Sequence, residues 1–133
     1  IELENIEDTK TVLVNKNKLS QVFYNLIDNS ISILDKNKKV MICIEDKNDD
    51  NIYIKIFDQG KGIPMKLAEK VFDRFYTDRD INKDNHTGLG LSIAKEIILS
   101  FRGSIELVES DRSDYSGACF VINLPLKINQ TKK

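Results

Sequence analysis

The chain has 133 residues, 41% hydrophobic and 31% charged, and its 20 Lys and Arg nearly balance 21 Asp and Glu for a net charge of −1. That length suits one globular domain, residues 1–133, able to bury roughly two thirds of its unfolded surface. Interspersed charge of both signs excludes a basic nucleic-acid-binding face, no apolar run nears the roughly 18 residues of a membrane span, and no signal-peptide pattern opens the sequence.

Polar residues at the start define no complete element, and a short strand is expected around Thr11–Val14. Asn15 to Asn17 then offer N-cap side chains. From Lys18 to Leu34 the apolar residues Leu19, Val22, Phe23, Leu26, Ile27, Ile31 and Leu34 recur at helical spacing, which predicts an amphipathic helix. Its other face carries Gln21, Asn25, Asn29 and Ser32, a neutral stripe where charges would be ordinary. Asn is a mediocre helix former, so the stripe is either a solvated face in an Asn-rich chain or a ligand surface. Carboxamide oxygens are hard neutral ligands, suited to Mg²⁺ and phosphates around it.

After a polar turn at Asp35–Lys39, Val40–Glu45 and Ile52–Asp58 read as two strands joined by a polar hairpin region. In the second, alternation puts Asp58 on the same inward side as Ile52, Ile54 and Ile56. A carboxylate there is costly unless hydrogen-bonded, which marks it as a functional residue. Cys43 and Cys119 lie in strand-like runs without metal-ligand spacing, so both read as buried thiols of a reducing compartment.

A short helix is predicted over Met65–Phe72, then a mobile, charged loop from Asp73 to Thr87. Gly88–Phe101 returns to helical spacing with Leu91, Ala94, Ile97, Ile98 and Phe101 inward. Strands at Ser104–Glu109 and Ala118–Leu124 follow, with a disordered tail expected at 127–133. The order predicts an α/β two-layer sandwich: a mixed, mostly antiparallel sheet against about three helices.

Two glycine motifs punctuate this order. Asp58-Gln59-Gly60-Lys61-Gly62 ends a strand, and His86-Thr87-Gly88-Leu89-Gly90-Leu91 opens a helix, where free N–H groups and the dipole suit phosphate. Neither is a P-loop or a Rossmann fingerprint. In sequence order, the amide-striped helix, the DxGxG turn, the Phe72/Phe75 pair, the polar loop and the GLGL helix resemble the N, G1, F and G2 boxes of sensor histidine kinases. The resemblance runs from about Val12 to Leu126. It implies the Bergerat (GHKL) fold, shared with gyrase B, the Hsp90 chaperones and MutL.

The resemblance also implies roles. Asp58 would accept from the adenine amino group, with Gly60, Gly62 and Ile63 lining the base pocket. Asn29 would ligate Mg²⁺, with Asn25 beside the ion and phosphates. Phe72 and Phe75 would anchor the lid. Thr87, Gly88, Leu89, Gly90 and Leu91 would form the phosphate-facing helix start, and Arg74 and Arg79 would meet terminal phosphate charge. Catalysis would rest on Asn25, Asn29 and Arg74. Ser32, Ile33, His86 and Ala118 depart from the family's usual Lys, aromatic residue, Gly and Thr.

The IDNSI stretch also resembles gyrase B and MutL, which place a general-base Glu four residues before the metal-binding Asn. That position is Asn25, which cannot take a proton, so transfer to a nucleophile from another domain is favoured over water attack. The only histidine, His86, has no dimerisation motif around it. The resemblance therefore implies a two-component kinase catalytic domain, with ATP and Mg²⁺ as cofactors, excised from a larger protein. Its partners would be a histidine-bearing dimerisation domain of the same, homodimeric kinase and a response regulator receiver domain. No nucleic acid and no membrane contact are expected, and the domain would be cytoplasmic whether or not the full-length protein is membrane-anchored. The alternatives are a nucleotide-binding scaffold or phosphatase-biased partner, and a serine kinase of the anti-sigma-factor type.

Overall fold

The computed structural model describes residues 2–4, 14–31, 39–45, 50–74 and 90–126. Its first helix, α1 (Lys16–Ile31), starts where Asn15 caps it. The Asn15 side-chain oxygen accepts from the Lys18 N–H at 3.0 Å, and its carbonyl accepts from the Leu19 N–H at 3.0 Å. Val22 and Leu26 are fully buried, while Leu19 and Phe23 pack partly buried against the same core.

A second helix, α2 (Gly90–Ser100), packs against α1. It closes with the Gly103 N–H on the Ile98 carbonyl and the Arg102 N–H on the Leu99 carbonyl, a Schellman turn. Its left-handed residue is Arg102, at φ 65°, rather than a glycine. Gly103 is needed for another reason. A Cβ there would lie 2.3 Å from the Asn123 carbonyl oxygen.

Strands β1 (Glu2–Glu4), β2 (Val40–Glu45), β3 (Asn51–Asp58), β4 (Ser104–Val108) and β5 (Cys119–Pro125) form one sheet in the order β1-β2-β3-β5-β4. β1 runs parallel to β2, and the other pairs are antiparallel. The Ile, Val and Phe content that favours strands also supplies the core. On one face Ile56, Phe120, Ile122 and Leu124 meet Leu26, Ala94 and Ile98 from the helices. This is the expected two-layer sandwich.

The opposite face carries a smaller cluster of Met41, Cys43, Phe57, Tyr115 and Cys119. Tyr115 comes from the β4–β5 connection, which folds under the sheet and stacks a tilted ring on Phe57, centroids 6.4 Å apart. Lys55 holds that connection through Asp111, and it holds Glu45 of β2, both at 3.5 Å. Burial pulls the Lys55 ammonium down, but attraction to Glu45 and Asp111 outweighs it and leaves the pKa raised. Both cysteines are free and buried, and burial pushes the Cys119 thiol up to about 11, so it stays protonated and inert.

One expectation needs correction, and another is only partly covered by the described residues. Val14 is not in a strand, Thr11–Leu13 lie outside the described residues, and the first strand among the described residues is Glu2–Glu4. A three-residue edge strand is defined by its partner's register (Leu3 opposite Ile42), which no periodicity of its own reveals. The short helix over Met65–Phe72 is two separate 3-10 turns, Met65–Leu67 and Lys70–Phe72, neither with a side-chain cap. Only Val71 and Phe72 are buried there, too little to hold a continuous α-helix. Two α-helices cover the sheet among the described residues. The loop expected to be mobile falls, beyond Arg74, outside the described residues, as does the tail at 127–133.

Candidate functional site

Strand alternation in β3 buries Ile52, Ile54, Ile56 and then Asp58, the last only 1% exposed. Desolvating a carboxylate this far is costly unless donors replace water. They do. The Asp58 Oδ1 atom accepts from the Gly60 N–H at 2.9 Å and the Ala118 N–H at 3.0 Å. The main chain adds two bonds, from the Asp58 N–H to the Ala118 carbonyl and from the Gly117 N–H to the Asp58 carbonyl. Both side-chain bonds end on Oδ1, so Oδ2 is the oxygen left for a ligand.

Gly117 makes this geometry possible. A Cβ on it would lie 2.0 Å from Asp58 Oδ1 and 2.7 Å from the Gly60 nitrogen. Gly62, at φ +82°, adopts the left-handed backbone that glycine favours and brings the loop over Gly117. A cavity of about 460 Å³ is bounded by Gly62, Ile63, Met65, Leu107, Gly117 and Ala118. It reaches Ala118, whose N–H holds Asp58 Oδ1, and Gly117, whose N–H donates to the Asp58 carbonyl. Ile63 is half-buried and packs on the main core.

The other end of the site is built from helix faces. The Asn25 Nδ2 donates to the Gly90 carbonyl at 3.2 Å and so ties the middle of α1 to the start of α2. Asn25 and Asn29 are both half-buried on the face that the four-residue spacing selects, whereas Gln21 is exposed. The stripe is thus no uniformly solvated face. Leu91 is half-buried beside it and packs on the core.

Phe72 is buried edge-on to Phe120, with ring centroids 6.0 Å apart at 76°. The Lys95 ammonium sits 5.2 Å from the Phe72 ring centroid, a cation–π contact from α2. Arg74, expected to meet phosphate, pairs with Glu96 of α2 at 3.2 Å, both side chains being more than half exposed. An exposed pair of this kind contributes well under about 1 kcal/mol, so it leaves the guanidinium free to exchange partners.

The structure therefore brings Asp58, Gly60, Gly62 and Ile63 together at one end of the site, and Asn25 with Gly90 at the other. Phe75, Arg79, Thr87, Gly88 and Leu89 lie outside the described residues, as do Ser32, Ile33 and His86. Sequence reasoning singled out Ala118 for a missing hydroxyl. The structure shows that its backbone N–H holds Asp58, a role any non-proline residue fills. Gly117 was not placed among the site residues, though a glycine directly before a strand hints at a close approach.

The chain matches, over residues 14–128, the family model described as "Histidine kinase-, DNA gyrase B-, and HSP90-like ATPase". It is 36% identical over 122 residues to the sensor histidine kinase WalK of Bacillus subtilis (strain 168), covering 90% of this chain and 20% of that protein. Sporulation kinase E of the same organism is 29% identical, over 100% of this chain and 17% of its own. This chain thus spans about a fifth of those relatives. Among solved structures, the nucleotide-free catalytic domain of the histidine kinase ThkA superposes with a TM-score of 0.73 at 32% identity, over 93% of this chain and 76% of that one. The mycobacterial sensor histidine kinase MprB reaches a TM-score of 0.80 at 25% identity, over 96% and 83%. The fold, the held carboxylate between glycines and these matches agree: the chain belongs to the histidine kinase-, gyrase B- and HSP90-like ATPases, as a catalytic domain of the sensor histidine kinase type.

Proposed function

We propose that this domain binds Mg-ATP and transfers its γ-phosphoryl group to a histidine on a dimerisation domain outside this chain, for relay to an aspartate of a response regulator. The buried Asp58 carboxylate carries the reading. With Oδ1 held by two backbone N–H groups, Oδ2 accepts from an exocyclic amine such as that of adenine, and Gly60, Gly62 and Ile63 form the surface under the base. The phosphate end comprises Asn25, Asn29, Gly90 and Leu91, joined by Thr87, Gly88 and Leu89 as they precede α2 in sequence. Phe75 continues the lid anchor begun by Phe72, and Arg74 and Arg79 supply positive charge toward the terminal phosphate.

The donor set fits magnesium only in company. No group of three or more His, Cys, Asp or Glu that could hold a metal occurs among the described residues. Neutral amide oxygens from Asn29, with Asn25 beside it, suit an ion whose shell is completed by phosphates and water. Such an ion offsets charge that develops on the transferring group. Asn25 is already a donor to the Gly90 carbonyl and has no basic atom, which argues for transfer to a partner nucleophile rather than to water.

One solved relative is the histidine kinase ThkA in complex with the response regulator protein TrrA, over 95% of this chain at 30% identity. By analogy, the partners here are a receiver domain and the dimerisation domain of a homodimeric kinase, and the domain works in the cytoplasm. No helix among the described residues is long and apolar enough to cross a membrane.

Asp58→Asn tests the reading. It keeps the shape but replaces a charged acceptor, so ATP and ADP should both weaken by about 1.5–3 kcal/mol. Calorimetry showing unchanged ADP affinity in the folded variant would remove the adenine assignment.

A further inference from the structure

Asp58 is held by Gly60, through a local turn, and by Ala118, whose place depends on how the β4–β5 connection lies under the sheet. One side chain ties that connection to the rest of the site. The Gln59 Oε1 accepts from the Lys39 N–H at 2.9 Å, and the Gln59 N–H donates to the Lys39 carbonyl at 3.1 Å. Lys39 immediately precedes β2, whose first residue, Val40, pairs with Asp58. The other half of the amide faces the opposite way, where Nε2 donates to the Asp114 carbonyl at 2.9 Å.

Asp114 is next to Tyr115, which is 3% exposed and stacked on Phe57, and it lies just upstream of Gly117 and Ala118. Ser110 closes the connection internally, accepting from the Arg112 N–H and donating to the Tyr115 carbonyl. Side-chain contacts hold the strap at three points, Lys55 to Asp111, Tyr115 on Phe57, and Gln59 to Asp114, beside the main-chain bonds that pair Gly117 and Ala118 with Asp58. Phe57 and Gln59 flank Asp58 on either side, and of the two only Gln59 holds the strap by a side-chain hydrogen bond.

The geometry points to Gln59 as a specificity-determining positioning residue: it fixes the strap against β2 so that Ala118 keeps Asp58 Oδ1, which leaves Oδ2 in the one orientation that accepts from an amino-bearing purine. This rests on the adenine role of Asp58. A purine with a carbonyl at that place meets the same carboxylate lone pair to lone pair and is rejected. Rejection of this kind depends on a site that cannot adjust. A strap released at Asp114 would let the carboxylate rotate, and discrimination would fall before affinity for the phosphates does.

The test uses Gln59→Glu, which keeps the acceptor for Lys39 but sets a carboxylate against the Asp114 carbonyl. Gln59→Leu removes both bonds. Calorimetry with ATP, ADP and GTP, beside a melting curve, reads the outcome. In the wild type ATP should bind well ahead of GTP; equal affinities would overturn the Asp58 reading itself. In Gln59→Glu the ATP-to-GTP preference should drop by about tenfold while the ATP-to-ADP ratio stays put. The double variant Asp58→Asn/Gln59→Glu should discriminate no worse than Asp58→Asn alone, because Gln59 acts through Asp58. If Gln59→Glu lowers the melting temperature but keeps the wild-type ATP-to-GTP preference, Gln59 is a structural brace and the proposal is wrong. Should Gln59→Leu not fold, Gln59→Glu decides alone.

Discussion

The two ends of the site are made differently. At the Asp58 end the main chain does the holding: two N–H groups grip one carboxylate oxygen, and a glycine makes room for the contact. At the Asn25–Asn29 end the candidate ligands are side chains of a helix face, which a hydrogen bond from Asn25 to the Gly90 carbonyl joins to α2. The first end is finished before any ligand arrives. Under the proposed function the second offers only neutral amide oxygens, to be completed by phosphates and water. On that proposal a base would be read by a preformed pocket, while metal and phosphate handling would stay coupled to nucleotide occupancy.

The strongest way to break this contrast is Gly117→Ala. Its Cβ would intrude on the Asp58 carboxylate, so overpacking and lost charged hydrogen bonds together should cost about 3–5 kcal/mol, divided between stability and nucleotide binding. Denaturation and ADP titration measure the two shares. Wild-type behaviour in both would mean the base end adapts as easily as the other.

Asn29→Ala sharpens the contrast from the opposite side. Phosphorylation of the cognate dimerisation domain in trans should fall by about 10²–10³-fold, while ADP affinity measured in EDTA stays near wild type. Wild-type transfer rates would reduce the amide stripe to a helix surface. Asn29→Asp serves as a control, because it keeps an oxygen ligand and adds charge toward the phosphates.

Asn25→Ala should act more gently. Losing one neutral hydrogen bond to Gly90 should weaken Mg-ATP by about 1 kcal/mol and leave the ATP-to-GTP preference intact. A change in base preference would show that the two ends are not independent.

Arg102→Gly is the smallest change, and it lies at the α2–β4 junction, where no site residue has been placed. Relieving left-handed strain at the helix C-terminus should raise stability by about 0.5–1 kcal/mol in urea denaturation, with every affinity unchanged. An altered affinity would mean that α2 transmits its end state to Gly90.

Asp58 was legible in the sequence because a period of two leaves no choice of face once Ile52, Ile54 and Ile56 point inward. The face of Asn25 and Asn29 followed in the same way from a period near four. Local periodicity could not show Gly117 and Ala118 closing on Asp58 from 60 residues away, since that is a property of strand pairing. Nor could it show Gln59 reaching Lys39 and Asp114 at once. The 3-10 turns escaped because their apolar spacing matches a short helix. What fails there is the burial needed to sustain one, which depends on neighbours the segment does not itself encode.

The distance between Asp58 and Ala118 also has a kinetic side. β2 and β3 are neighbours in sequence and can zip as a hairpin, but the β3–β5 ladder joins Asn51 to Pro125 and encloses α2 and β4. Closing so long a loop is slow, and lengthening it adds only about 0.6 kcal/mol per doubling. The carboxylate grip exists only after that closure. Nucleotide binding during refolding would therefore appear with the last, non-local step and lag behind helix formation. The segment between Phe72 and α2 can change length among relatives at little cost to the finished domain.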